Sequence, residues 1–199
     1  MGEGPSARPT AIVIGGVNGA GKTSASQSLL AEKLALMTFV NADAIAGGLN
    51  AFAPEVAALE AGRIMLTRLH ELALARNDFA FETTLAGRSY IRFLRRLRSD
   101  GYQVSIYYFW LQTAELAIER VRQRVKRGGH NIPDETVKRR FCRSVSHFWN
   151  DYRLECDYWA TVDNSAATPS LTAESHAGTI TIANPLRWAA FQELVPHAS

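Results

Sequence analysis

The stretch Gly16-Val17-Asn18-Gly19-Ala20-Gly21-Lys22-Thr23 decides the reading of this chain. Its spacing is G-x-x-x-x-G-K-[ST], the pattern of a loop that wraps phosphates. Directly before it runs Ala11-Ile12-Val13-Ile14, an apolar segment that reads as a buried strand. Directly after it the chain reads as a helix, whose positive end faces the same point as the loop amides. Glycines at 16, 19 and 21 let the backbone curl so that successive N–H groups converge. Gly16, Asn18, Gly19, Ala20, Gly21, Lys22, Thr23 and Ser24 are therefore the candidate nucleotide-binding residues. Lys22 is placed to reach the β- and γ-phosphates, and the Thr23 hydroxyl to hold Mg²⁺.

Working outward, residues 1–9 are rich in Gly, Pro and Ser and read as a flexible tail; residues 10–199 read as one domain. Strands are expected at 11–15, 37–41, 79–82, 104–111 and 159–162, with an edge strand at 179–183. Helices are expected at 22–36, 54–76, 90–98, 115–126, 134–152 and 186–194. In the second of these, Leu59, Leu66, Leu69 and Ala73 are assigned to the inward face; residues 165–178 read as a loop. This alternation predicts an α/β fold: a doubly wound, mostly parallel sheet of five or six strands with helices on both faces. Ligands of such sheets gather beyond the carboxyl ends of the strands.

The formal net charge of +3 suits a phosphate-handling protein but is too mild to argue for nucleic acid. Cys142 and Cys156 follow no metal spacing and are expected as reduced thiols. With no secretory-type leader at the N-terminus and no run of membrane-span length, a cytoplasmic protein with no membrane partner is expected.

The strand-end rule selects the remaining candidates. Asp43 follows the second strand; it either accepts a proton from an attacking hydroxyl, binds Mg²⁺ through water, or caps the short helix Ala44-Ile45-Ala46. Glu82 and Thr84 follow the third strand: Glu82 either orients the substrate hydroxyl or stands behind the ligands of the metal, and Thr84 either bonds the substrate or only caps and turns. Arg88, in Gly87-Arg88-Ser89, opens the next helix as an anion-friendly end. Arg63 on the long helix is a further acceptor-side candidate, or snorkels from the core. Asn164, in Asp163-Asn164-Ser165, either cradles the adenine or holds its own loop.

Arg92, Arg95, Arg96 and Arg98 read as a solvated helix face. Arg120, Arg124 and Arg127 share one stripe of the following helix, which runs into a Gly-Gly turn containing His130. Arg140 flanks the inward side of the helix after it. Residues 115–150 thus read as a helical lid, with Arg124, Arg140 and Arg127 as cations over a transferring phosphoryl group and His130 touching a phosphate or packing against the lid.

With these residues in hand, the chain resembles the zeta-toxin family of P-loop kinases, most closely its short members. The segments that carry the likeness are the phosphate loop, Asn41-Ala42-Asp43, Phe81-Glu82-Thr83-Thr84-Leu85, the Arg-rich stretch up to Gly128-Gly129-His130-Asn131-Ile132-Pro133, and Asp163-Asn164-Ser165. The resemblance implies ATP or GTP as donor and a hydroxyl of UDP-N-acetylglucosamine or a related nucleotide sugar as acceptor. It implies Asp43 as base, Lys22 as phosphate lysine, and Glu82 and Thr84 as substrate-side polar pair. It also raises an antitoxin protein as a partner. The rival readings are an ATPase switch without a phosphorylated product and a nucleic-acid kinase using the Arg92–Arg98 run.

Overall fold

The computed structural model describes residues 8–35, 37–53, 56–129 and 131–195. Its strands are β1 (Thr10–Gly16), β2 (Thr38–Asn41), β3 (Phe79–Thr83), β4 (Gln103–Trp110), β5 (Tyr158–Asp163), β6 (Ser170–His176) and β7 (Thr179–Ile182). Its helices are α1 (Lys22–Leu29), α2 (Ala31–Ala35), α3 (Ala42–Leu49), α4 (Ala58–Leu74), α5 (Ile91–Ser99), α6 (Ala114–Lys126), α7 (Asp134–Asn150) and α8 (Pro185–Leu194), with a 3₁₀ turn at Tyr152–Glu155.

The strands form one sheet in the order β2-β3-β1-β4-β5-β6-β7. The first five pair in parallel and the last two antiparallel. Ala11, Val13 and Ile14 of β1 are fully buried because β1 is central and covered on both faces. The chain leaves β1 for β2 and β3 on one side and for β4 on the other. That reversal opens a crevice at the carboxyl end of β1, where the phosphate loop sits.

Two aromatic clusters cover one face of the sheet, the face that Ala11, Val13 and Gly15 of β1 share with Phe79 and Phe81 of β3 and Tyr108 of β4. In the first, Phe79, Phe81, Phe93 and Tyr102 pack together, with Phe79 and Tyr102 centroids 5.7 Å apart. In the second, Tyr108 stacks on Phe148 of α7 at 4.1 Å, and Phe191 of α8 meets Trp110 edge-on. Polar anchors sit within this second cluster. The Tyr108 hydroxyl donates to Ser144 Oγ (2.8 Å), which in turn donates to the Thr84 carbonyl (2.5 Å), so α7 is pinned to the segment after β3. Burial pushes the Tyr108 phenol well above its ordinary range, which keeps it a donor.

The doubly wound, mostly parallel sheet is as expected, but it has seven strands rather than five or six. The additional strand is β6, inside the segment read as a loop. Its inward positions are Thr172, Ala173 and Ser175, all buried yet small or polar, so it carries no apolar alternation to read. A two-residue turn, Ala177-Gly178 with φ of 49° and 85°, folds β7 back against it.

The first helix breaks at Leu30, where φ is −124°, and continues as α2; Leu36 lies outside the described residues. The long helix begins at Ala58 rather than Pro54, which also lies outside them. Its buried face is Ala61, Met65, Leu69 and Leu72. Of the residues expected there only Leu69 is buried; Leu59 is 71% exposed. α3 is also longer than the three residues expected after Asp43.

Candidate active site

The phosphate loop is shaped by what surrounds it. Gly16 has φ 143°, and a Cβ there would lie 2.0 Å from the Phe109 carbonyl oxygen. Gly19 has φ 73°, and a Cβ there would lie 2.7 Å from the Ala117 carbonyl oxygen, at α6. Neither position accepts a side chain, so the loop is wedged between β4 and α6. The segment after β5 holds it from a third side. Asn164 Nδ2 donates to the Ala20 carbonyl (2.6 Å), while Arg120 donates to the carbonyls of Asn164 (2.6 Å) and Ser165 (2.8 Å). The Asn164 side chain thus braces the phosphate loop rather than the backbone of its own turn. Arg120 is engaged here and is set apart from Arg124 on its own stripe.

Lys22 is 8% exposed, and its Nζ donates to the Val17 carbonyl (3.1 Å). Glu82 Oε1 lies 4.0 Å away. Burial lowers the Lys22 ammonium below its ordinary value; Glu82 and Asp43 oppose that shift, and Arg124 adds to it. A phosphate entering the loop would supply the negative charge that this desolvated ammonium lacks.

Glu82 stands against the loop. Its Oε2 accepts from the Thr23 hydroxyl (2.6 Å) and from Asn41 Nδ2 (3.2 Å). Asn41 also caps α3: its Oδ1 accepts from the backbone N–H of Asp43 (2.8 Å) and of Ala44 (3.3 Å). The cap of this helix is therefore Asn41 and not Asp43, which leaves the Asp43 carboxylate in the helix's first turn.

These residues share one cavity of about 310 Å³ at the carboxyl ends of the strands. Asn18, Gly19 and Lys22 line it from the phosphate loop, Asp43 from the first turn of α3, and Glu82 and Thr84 from the end of β3. Arg124 of α6 and Arg140 of α7 reach it from the helical side. Sequence reasoning missed the apolar lining, Ala58, Met65, Tyr90 and Ile132, and the polar Asn41. Only Asn41 left a signal: an Asn directly before a helix is a preferred cap.

Other expected residues are elsewhere. Arg88 pairs with Asp151 (2.9 Å) and does not line the cavity. Arg63 is exposed on α4, and Arg127 is exposed at the C-cap of α6; neither lines it. Ser24 is exposed in the first turn of α1. His130 lies outside the described residues. On α5, Arg95, Arg96 and Arg98 pair with Glu155, Asp100 and Asp157. Among the described residues no helix is long and apolar enough to cross a membrane.

A family model described as Zeta toxin matches residues 3–154. The chain belongs to the zeta-toxin family. An uncharacterized protein of Haemophilus influenzae is 30% identical over 131 residues, 66% of this zeta-toxin-family chain and 91% of its own length. Among solved structures, the AvrRxo1-ORF1:AvrRxo1-ORF2 complex with sulphate ions aligns with a TM-score of 0.77 at 16% identity, covering 96% of this chain. The present chain spans 65% of the length of that neighbour. The same complex solved with ATP aligns with a TM-score of 0.75, again at 16% identity over 96% of this chain and 65% of the other. The PezAT chromosomal toxin-antitoxin system of Streptococcus pneumoniae aligns at 0.65 and 18% identity, over all of this chain and 83% of the other.

Proposed function

We propose that this zeta-toxin-family protein is a kinase that transfers the γ-phosphoryl group of ATP or GTP to a hydroxyl of a small molecule, with UDP-N-acetylglucosamine or a related nucleotide sugar as acceptor. One observation carries the reading: Lys22 and Asp43 open into the same cavity, with Arg124 and Arg140 on its helical side.

In this mechanism the loop amides and Lys22 hold the β- and γ-phosphates. The acceptor lies between Asp43 and the apolar lining of Met65, Tyr90 and Ile132, with Thr84 as a polar contact. Asp43 orients the acceptor hydroxyl and takes its proton as the new O–P bond forms and the bond to the β-phosphate oxygen breaks. α6 and α7 act as a lid over the cleft. Their Arg124 and Arg140 neutralise charge on the phosphoryl group in transit. Asn164 contributes by steadying the loop.

The Thr23 hydroxyl and the Glu82 carboxylate are hard oxygen donors 2.6 Å apart, a set that fits Mg²⁺. Among the described residues there is no cluster of three His, Cys, Asp or Glu, so most ligands of such an ion would be phosphate oxygens and water. When bound, the ion offsets charge on the phosphate oxygens.

The same reading takes the cytoplasm as the place of action and an antitoxin protein as a partner, the latter supported by the structural likeness to the PezAT toxin-antitoxin system. The deciding experiment is incubation with ATP, Mg²⁺ and a panel of nucleotide sugars, followed by mass spectrometry. A phosphorylated nucleotide sugar supports the proposal. Consumption of ATP with no phosphorylated product would favour the ATPase switch instead.

A further inference from the structure

The sheet ends at β7, and among the described residues nothing pairs with its outer side. Its sequence is Thr-Ile-Thr-Ile, all four residues are exposed, and none is charged. Natural edge strands usually carry a lysine, a proline or a bulge that discourages pairing. β7 has none of these.

Which backbone groups face outward follows from its pairing with β6. Ala173 lies opposite Ile182 and Glu174 opposite Thr181. The next pair is Thr172 and Ala183, and there the Ala183 N–H donates to the Thr172 carbonyl (3.0 Å). Antiparallel ladders alternate, so Thr181 and Thr179 also spend their backbone groups on β6. Ile180 and Ile182 therefore direct both N–H and C=O to the open edge.

We infer that β7 pairs antiparallel with β7 of a second copy of this chain, about a two-fold axis through Thr181. In that register Ile180 lies opposite Ile182 of the second copy, and Ile182 opposite its Ile180. All four are the residues whose backbone groups point outward, so the ladder closes with four hydrogen bonds and no orphan. The isoleucines also share a face. Ile180 lies opposite Ser175, which lies opposite Trp159, and Trp159 stacks on Trp188 of α8. Both isoleucines thus stand on the α8 side, 42% and 48% exposed, and Leu186 in the first turn of α8 is 85% exposed. No charge opposes the contact from within β7. A shift of one residue would set isoleucine against threonine and outward groups against inward ones, so both side chains and backbone select the same register. The interface is isologous, as a closed dimer requires. It is also short, below the roughly 1,200 Å² of standard stable interfaces, so the dimer is weak and concentration-dependent. The inference does not depend on the reading of the cleft.

The test is sedimentation equilibrium of the full chain from about 1 to about 500 µM, the range of weak association. The expected mass rises from monomer towards dimer. The double variant Ile180→Lys, Ile182→Lys stays monomeric throughout, with unchanged circular dichroism, because its lysines would face each other across the axis. Register is tested by oxidation in a Cys142→Ser background. Thr181→Cys meets its own counterpart in a non-hydrogen-bonded pair, about 4.5 Å between Cα atoms, and forms a covalent dimer. Thr179→Cys does not. A monomer at every concentration, or equal cross-linking at both positions, overturns the inference.

Discussion

The Thr23 hydroxyl donates to Glu82 Oε2 at 2.6 Å, joining the end of the phosphate loop to the end of β3. A metal ion bound at the Thr23 hydroxyl would lie beside Glu82, which would orient that hydroxyl. Replacing Glu82 by Ala should raise the Mg²⁺ concentration for half-maximal ATP turnover about 10- to 100-fold, the usual cost of losing a group that orients a metal ligand. A Mg²⁺ titration of turnover at saturating ATP reads this directly.

Asp43 should be required for transfer but not for donor binding. Asp43→Asn keeps the side-chain size and the Asn41 bond to the backbone N–H of this residue. Transfer should fall about 10²- to 10⁴-fold, the range for a positioned base. The ATP dissociation constant, measured by calorimetry, should stay within a few-fold. A parallel loss of ATP binding would assign Asp43 to the donor side.

Arg124 and Arg140 line the cavity, whereas Arg127 and Arg88 do not. Arg140→Ala should lower kcat about 10³-fold if it acts on the phosphoryl group in transit. Arg88→Ala breaks only an exposed pair with Asp151 and should leave kcat unchanged, at a stability cost under about 1 kcal/mol. Single-turnover kinetics on the two variants separates the roles.

Burial lowers the Lys22 ammonium from its ordinary 10.5, so it loses its proton at a lower pH than an exposed lysine. Phosphates favour the charged form, so ATP binding should take up a proton near this lowered value, and affinity should fall as pH rises through it. Lys22→Arg removes that titration. Calorimetry in two buffers of different ionisation enthalpy should show proton uptake in the wild type and none in the variant.

Asn164→Ala deletes the bond to the Ala20 carbonyl. It should cost about 1 kcal/mol and lower Tm by about 2–4 °C for a chain of this size. A thermal scan measures this, and ATP binding should weaken with it because the loop loses one of its three supports.

The phosphate loop was legible because its chemistry is local: spacing, glycines and the preceding strand all lie within one short stretch. The placement of Asp43 in the crevice was legible because ligands of parallel sheets gather beyond the strand ends. Residues whose roles depend on distant partners were not. Nothing near Arg88 in the sequence announces Asp151, and nothing near Asn41 announces Glu82. β6 escaped because its interior side is threonine, alanine and serine, against which Thr161 donates to the Ala173 carbonyl (3.1 Å). The inward face of α4 was misread because its leucines are spread around the helix: Leu59 and Leu74 are exposed, while Ala61 and Met65 are fully buried.

Asn41 holds the Glu82 carboxylate with its amide nitrogen and the backbone N–H of Asp43 with its amide oxygen. A single planar group cannot turn towards one without turning from the other. Were a bound nucleotide to draw Glu82 forward, the pull would reach the backbone of Asp43 through Asn41. Occupancy of either half of the cleft should therefore alter affinity in the other, by the same factor in both directions.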